Sequence, residues 1–449
     1  MNEISLLTEG DVNDAPLREK WNQHLDPATR DLLRRDSEVF MHQALSTPCL
    51  EVITAAEGIY LTGASGKKYM DFHGNSVHQL GHKNPYVLEK VKQQMETLVF
   101  CPRRYTHPMA IEFSEKLVSL MPEGLTRVLY APGGTSVVGI ALKLARIVTG
   151  KHKVVSLKDS FHGASLDAIA VGGEAQFRKY MEPLYPETIH IAAPNSYRSP
   201  YPDGQDIHDA EALERVILED GQIGAFIAET IRNTDVQIPS REYWQKIREI
   251  CSRHQVLLIL DEIPIAFGRT GSMFAFEHYA ITPDILCLGK GLGAGVIPFA
   301  AMVTREEYNV AGEVSLGHYT HEKNPLGCAA AMAMLEYIGQ EHLLEKVADH
   351  EKYLKAQFQK MSEDFSLIGD VRGIGLLWGI ELVKDRQSRE KAIRESEWIL
   401  YDCLQNGLSF KVSQGNVLQL CPSLIITEAQ LDQALEILRS ALSRVPAFD

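Results

Sequence analysis

Val256-Leu257-Leu258-Ile259-Leu260-Asp261-Glu262 is a short apolar run that ends abruptly in two carboxylates, and Ile285-Leu286-Cys287-Leu288-Gly289-Lys290-Gly291-Leu292-Gly293 repeats the pattern with a lysine framed by glycines. Similar runs precede them. Arg127 to Tyr130 leads into a Gly-rich turn and an amphipathic stretch from Val137 to Thr149; Lys153 to Leu157 follows, and Ile223 to Ala228 ends at Glu229. Apolar strands alternating with helices imply right-handed crossovers and a mainly parallel sheet covered on both faces, so the fold class is α/β. Polar residues cluster just past the strand ends, where open sheets of this kind place their ligands.

Working outward, the stretch up to about Leu45 reads as helical and peripheral, and Leu50 to Ile53, Gly58 to Leu61 and Lys68 to Asp71 read as short strands of a small sheet. Beyond about Leu343, helices at Leu343 to Ser362, Lys391 to Gly407 and Glu428 to Leu442, with β-like runs at Leu376 to Val383 and Val417 to Leu420, form a second α+β layer. With 449 residues, the chain can divide into a large and a small domain. Lys and Arg total 45 against 59 Asp and Glu, a net charge of -14 that disfavours nucleic acid and favours a small-molecule substrate. An anionic substrate stays open, because a few focused arginines can bind one inside an acidic protein. Cys49, Cys101, Cys251, Cys287, Cys328, Cys403 and Cys421 show no paired spacing, which points to reduced thiols and no metal site. Met1 to Arg30 lacks the apolar core of a signal peptide, and no run approaches the ~18 apolar residues of a membrane span, so the expected location is the cytoplasm.

The chemistry gathers at Asp261 and Lys290. A strand-end carboxylate can hold a pyridinium nitrogen protonated, and a lysine between glycines can approach an aldehyde carbon closely; together they fit pyridoxal 5'-phosphate (PLP) held as a Schiff base on Lys290. Alone, a lysine between glycines is most often a solvated turn lysine, and Asp261 could simply cap a helix. The turn Pro132-Gly133-Gly134-Thr135-Ser136 offers backbone N–H groups and hydroxyls to a phosphate at a helix N-terminus. Phe161, in Ser160-Phe161-His162-Gly163, is placed to stack on a flat ring or to fill the core beside a turn.

At these residues the chain resembles the class III (ω-aminotransferase-like) PLP enzymes of fold type I. The resemblance runs from about residue 45 to 440 and includes Tyr69-Met70-Asp71-Phe72, Leu80-Gly81-His82, Phe161-His162-Gly163, Asp261-Glu262, Phe267-Gly268-Arg269-Thr270-Gly271, Gly289-Lys290-Gly291, Asn324-Pro325-Leu326 and Arg372-Gly373-Ile374-Gly375. It implies a mainly parallel seven-stranded sheet in a large PLP-binding domain (76–335), with an N-terminal segment (1–75) contributing to a small α+β domain completed by 336–449. It also implies that Lys290 carries the cofactor, Asp261 pairs with its pyridine nitrogen, Phe161 and Ile263 sandwich the ring, and Gly134 and Thr135 hold the phosphate. His162 and Glu229 complete the cofactor-binding set. Thr320 matches a threonine that reaches the neighbouring subunit's phosphate, which implies a homodimer.

Departures from the family pattern fall around the substrate. Pro264 stands where most members carry Gln, Gly134-Thr135-Ser136 replaces a Gly-x-Glu turn, and Glu229-Thr230 replaces Glu-Pro. The aminotransferases' Arg-x-x-Pro-Pro-Leu becomes Gln419-Leu420-Cys421-Pro422-Ser423-Leu424, which removes the arginine that clamps an α-carboxylate. Arg232 is new relative to the pattern, and Arg103 and Arg104 lie in a segment the family uses near the active-site entrance; each could pair with a phosphonate or form an ordinary ion pair. The expected activity is therefore a lyase eliminating hydroxide from a small hydroxylated aminophosphonate, giving an aldehyde and ammonia, with Lys290 as the base. An aminotransferase for an amine or aminophosphonate, a phospho-lyase and a PLP-binding protein without activity are the alternatives. His73, His78, His107 and His162 are assigned no proton-transfer role, and His318 and His321 flank Thr320.

Overall fold

In the computed structural model, which describes residues 16–44, 46–47 and 49–448, the short apolar runs fold as strands and the amphipathic stretches between them as helices. The strands in chain order are β1 (Ile53–Glu57), β2 (Tyr60–Gly63), β3 (Lys68–Asp71), β4 (Leu125–Ala131), β5 (Lys153–Leu157), β6 (Thr188–Ile191), β7 (Ile223–Glu229), β8 (Leu257–Asp261), β9 (Ile285–Leu288), β10 (Ala300–Arg305), β11 (Ile368–Ile374), β12 (Leu377–Leu382), β13 (Leu408–Ser409), β14 (Lys411–Ser413) and β15 (Val417–Leu420). The seven-stranded sheet has the order β4-β10-β9-β8-β7-β5-β6. β10 runs antiparallel to both neighbours; β9, β8, β7, β5 and β6 are parallel. Every residue of β7, β8 and β9 is buried, as a sheet covered on both faces requires.

Two smaller sheets flank it among the described residues. β1, β2 and β3 form a meander whose inner edge is extended by β13, in parallel register with Leu408 opposite Met70, so chain from both ends meets in one sheet. β11, β12, β15 and β14 form the other, in which Gln419 of β15 stands between Gly379 of β12 and Lys411 of β14.

The helix Gly134–Thr149 starts three residues earlier than the apolar periodicity indicates, because its first turn is Gly-Thr-Ser with no apolar residue to mark it. It ends at Gly150, whose φ of 66° supplies the left-handed stop. The N-terminal stretch expected to be helical holds two helices, Pro16–His24 and Pro27–Val39, the second capped by Asp26 on the N–H groups of Ala28 and Thr29; the expectation for residues 1–15 lies outside the described residues. β6 and β10 carried no sequence expectation of their own. All seven cysteines are unpaired, and among the described residues no helix is long and apolar enough to cross a membrane.

Candidate active site

Parallel pairing of β7 with β8 sets Glu229 beside Asp261, so two carboxylates end adjacent strands. Both are buried, and each must be satisfied by hydrogen bonds. Asp261 is contacted by His162 Nδ1 at 2.8 Å and accepts the Ile263 N–H at 3.0 Å. Glu229 accepts the N–H groups of Phe161 at 3.2 Å and Asn233 at 3.0 Å. Burial pushes the Glu229 carboxyl above its ordinary range, and the neighbouring Asp261 charge adds to that rise, while His162 and the two N–H groups oppose it.

The next strand along delivers the amine. β9 ends at Leu288, Gly289 is extended, and Lys290 turns left-handed with φ 45°, a conformation a non-glycine residue holds only where its surroundings over-determine it. Burial drives the Lys290 ammonium below the ordinary lysine range, opposed by Asp261 and Glu229 and reinforced by the nearby Lys411 charge. The turn leaves no room for a larger residue: a Cβ on Gly291 would lie 2.3 Å from the Gln79 side-chain amide.

A cavity of about 180 Å³ joins these groups, lined by Gly134, Thr135, Phe161, His162, Gly163, Glu229, Asn233, Thr234, Asp261, Ile263, Pro264 and Lys290. At one end the helix Gly134–Thr149 begins at Gly133 with no side-chain cap, so its first N–H groups and positive dipole end are available to an anion. Close approach there demands glycine: a Cβ on Gly134 would meet Ile263 Cδ1 at 2.9 Å, and one on Gly163 would meet Thr135 Oγ1 at 2.2 Å. His162 Nε2 is buried without a hydrogen-bond partner. Thus the Lys290 amine, two buried carboxylates and an uncapped helix N-terminus all lie on one cavity.

Of the residues singled out in the sequence, Lys290, Asp261, Glu229, His162, Phe161, Ile263, Gly134 and Thr135 meet in this cavity. Arg103, Arg104, Arg232 and Thr320 are not among its lining residues. Arg232 is buried and makes a bidentate pair with Asp235, with both bonds at 2.5 Å, and a further bond to the Lys158 carbonyl at 3.3 Å. Its guanidinium is thereby committed inside the protein, and the signal was legible: Asp235 follows it by three residues. Arg103 and Arg104 are exposed, and Arg103 Nη2 lies 2.6 Å from His318 Nε2, which joins that segment to the one carrying the exposed Thr320. Gln419 is fully buried, its Nε2 donating to the Asn233 carbonyl and its Oε1 unpartnered. Sequence reasoning missed Gln79 and Lys411, which carry no motif and reach the Lys290 neighbourhood only through the fold.

These complements fit the class that the comparisons show, a PLP enzyme of fold type I. The chain belongs to the class III aminotransferase family: the model for "Aminotransferase class-III" matches residues 41–442. It is 56% identical to (R)-1-hydroxy-2-aminoethylphosphonate ammonia-lyase of Vibrio splendidus, over 98% of this chain and 95% of that one. Acetylornithine aminotransferase of Methanopyrus kandleri is 35% identical over 87% of this chain and 94% of its own length. Among solved structures, a transaminase from the marine bacterium Virgibacillus superposes with a TM-score of 0.87 at 26% identity, covering 93% of this chain and 99% of that one.

Proposed function

We propose that this chain is a cytoplasmic, homodimeric ammonia-lyase that converts (R)-1-hydroxy-2-aminoethylphosphonate to phosphonoacetaldehyde and ammonia. The observation that carries the reading is Gln419: at the position where the aminotransferases of the family clamp a carboxylate, this chain buries a neutral amide already bonded to the Asn233 carbonyl. An enzyme that must bind two carboxylic amino acids in turn needs a charge there; one that handles a single aminophosphonate does not. The 56% identity to the Vibrio splendidus lyase, along almost the whole chain, supports the same choice.

When bound, the cofactor supplies an electron sink for the carbon that bears nitrogen. Asp261, fixed between His162 and the Ile263 N–H, would pair with the cofactor's ring nitrogen and favour its protonated form. Burial keeps the Lys290 amine in reach of its neutral form, so it takes the proton from the nitrogen-bearing carbon. The C–O bond on the adjacent carbon then breaks and hydroxide leaves; the freed enamine becomes an imine, which water hydrolyses to aldehyde and ammonia. Pro264 offers no hydrogen bond where most of the family has Gln. Phe161 and Ile263 both line the cavity and would pack against the cofactor's ring. The exposed Arg103, Arg104 and Thr320 serve the partner subunit's site across the dimer, while Arg232 braces the wall through Asp235.

Incubation of the holoenzyme with the hydroxylated aminophosphonate, 2-aminoethylphosphonate or phosphoethanolamine, with and without pyruvate or 2-oxoglutarate, tests the reading. Ammonia and phosphonoacetaldehyde from the first compound alone are expected without keto acid. A keto-acid requirement would establish an aminotransferase instead, and free phosphate from phosphoethanolamine a phospho-lyase.

A further inference from the structure

Two residues of the cavity wall have no part in holding the cofactor. Asn233 and Thr234 stand side by side on it, in the segment that follows β7. That segment folds back on itself: Arg232 and Gln237 exchange backbone hydrogen bonds, both 3.1 Å, and Val236 between them is left-handed with φ 55°. A β-branched residue holds that conformation only where its surroundings fix it. Here they do so from several sides. Arg372 Nε donates to the Val236 carbonyl at 2.9 Å and Arg372 Nη2 to the Asp235 carbonyl at 2.8 Å. The Asp235 carboxylate takes both fork bonds of Arg232 and, at 3.0 Å, the Gln237 amide.

Within this loop Asn233 is pinned at both ends of its own backbone. Its N–H donates to Glu229 at 3.0 Å, and its carbonyl receives Gln419 Nε2. Thr234 Oγ1 reaches Glu174 Oε1 at 3.5 Å. The side-chain amide of Asn233, by contrast, is bonded to nothing among the described residues, and its Oδ1 is buried without a partner. A loop clamped this firmly, with one amide left unbonded on the wall of the cavity, is a preorganised contact for a ligand. The amide carries an acceptor and an N–H donor side by side, and the broad terminal torsion of asparagine lets either turn towards the cavity. Of the substrate's three polar groups, the amine is engaged by the cofactor and the phosphonate accepts hydrogen bonds and favours cations. The hydroxyl both gives and takes a hydrogen bond, as an amide does.

We propose that Asn233 binds the hydroxyl of the substrate, the group that leaves. The proposal rests on the hydroxylated aminophosphonate reading. It accounts for the clamping of the loop on every side: the contact must be held at a fixed place relative to Glu229 and the cofactor pocket for the amide to meet a hydroxyl one carbon from the nitrogen.

Asn233→Leu, which keeps the volume, and Asn233→Ala, which gives it up, test the contact as holoenzymes whose thermal melts match wild type. Three amines divide the substrate: ethylamine carries neither of its other groups, ethanolamine carries the hydroxyl on the same carbon, and 2-aminoethylphosphonate carries the phosphonate alone. Binding is read from the shift of the cofactor's visible band. Wild type should bind ethanolamine more tightly than ethylamine. Either variant should bind ethanolamine roughly 5- to 100-fold more weakly than wild type does, the effect of leaving one buried polar group unpaired, with the other two amines unchanged. An unchanged ethanolamine affinity in both variants would overturn the proposal. So would an equal loss for all three amines, which would mark Asn233 as structural, or a loss confined to 2-aminoethylphosphonate, which would give the residue to the phosphonate. If wild type releases no ammonia from the hydroxylated aminophosphonate while the selective ethanolamine loss persists, the lyase reading fails and the hydroxyl contact stands.

Discussion

Replacing Asp261 by Asn changes almost no volume and removes one charge, so it isolates what the carboxylate contributes. In the fold the group is 2% exposed and contacted by His162 Nδ1 at 2.8 Å and the Ile263 N–H at 3.0 Å. Asparagine can accept from one of those partners with its oxygen, but its NH2 then faces a second nitrogen, and the pyridine nitrogen of the cofactor loses its counter-charge. Removing one partner of a buried charged pair costs about 3–5 kcal/mol. If that loss falls on the reacting state, at about 1.4 kcal/mol per decade the rate of ammonia release drops by roughly two to four decades. The assay is the initial rate of ammonia formation at saturating cofactor, with the thermal melt and the visible spectrum recorded on the same sample. A variant that folds, retains cofactor and turns over within tenfold of wild type would refute the role given to Asp261.

Three further outcomes follow from the geometry. Lys290→Ala should lose the Schiff-base absorption and all measurable turnover while keeping its fold, as seen in a spectrum and a melt; a retained visible band would place the cofactor's anchor elsewhere. Gly291→Ala would drive a methyl to within 2.3 Å of the Gln79 amide, and overpacking of that kind costs about 1–3 kcal/mol, read as a lowered urea midpoint with weakened cofactor retention. His78, whose imidazole burial pushes down to about 4 from an ordinary 6.5, is neutral when folded and takes up a proton on unfolding between those values, so stability falls as pH drops from 6.5 towards 4. The share lost between pH 7.5 and 5 is about 2 kcal/mol, and His78→Gln should flatten the pH dependence of urea unfolding by that amount; equal slopes for both proteins would contradict the burial argument.

What the sequence revealed depended on how local the cause is. β5, β9 and β15 coincide with the mainly apolar runs that foretold them, because strands packed in a protein interior are mostly apolar and their residues are nearly all buried. The groups at strand ends were legible for the same reason: Asp261 and Glu229 interrupt such runs, and Lys290 sits in a glycine frame. β10 was not foreseen, since Ala300-Ala301-Met302-Val303-Thr304-Arg305 follows a Gly-rich turn instead of a helix and joins the sheet antiparallel, outside the alternation that exposed the rest. Lys411 was invisible because its place beside Gln419 is a matter of register: it lies between Phe410 and Val412 with nothing to mark it until β14 pairs with β15. Arg232 misled in the opposite sense, since its novelty drew attention while its partner Asp235, three residues on, occupies it completely enough to form both fork bonds.

The most direct test of the account counts ammonia per active site from purified holoenzyme and excess (R)-1-hydroxy-2-aminoethylphosphonate, with every keto acid excluded. Continued release over many turnovers, matched one for one by phosphonoacetaldehyde, is the predicted result. Release that stops at or below one equivalent per site until a keto acid is added would contradict it and restore the aminotransferase reading.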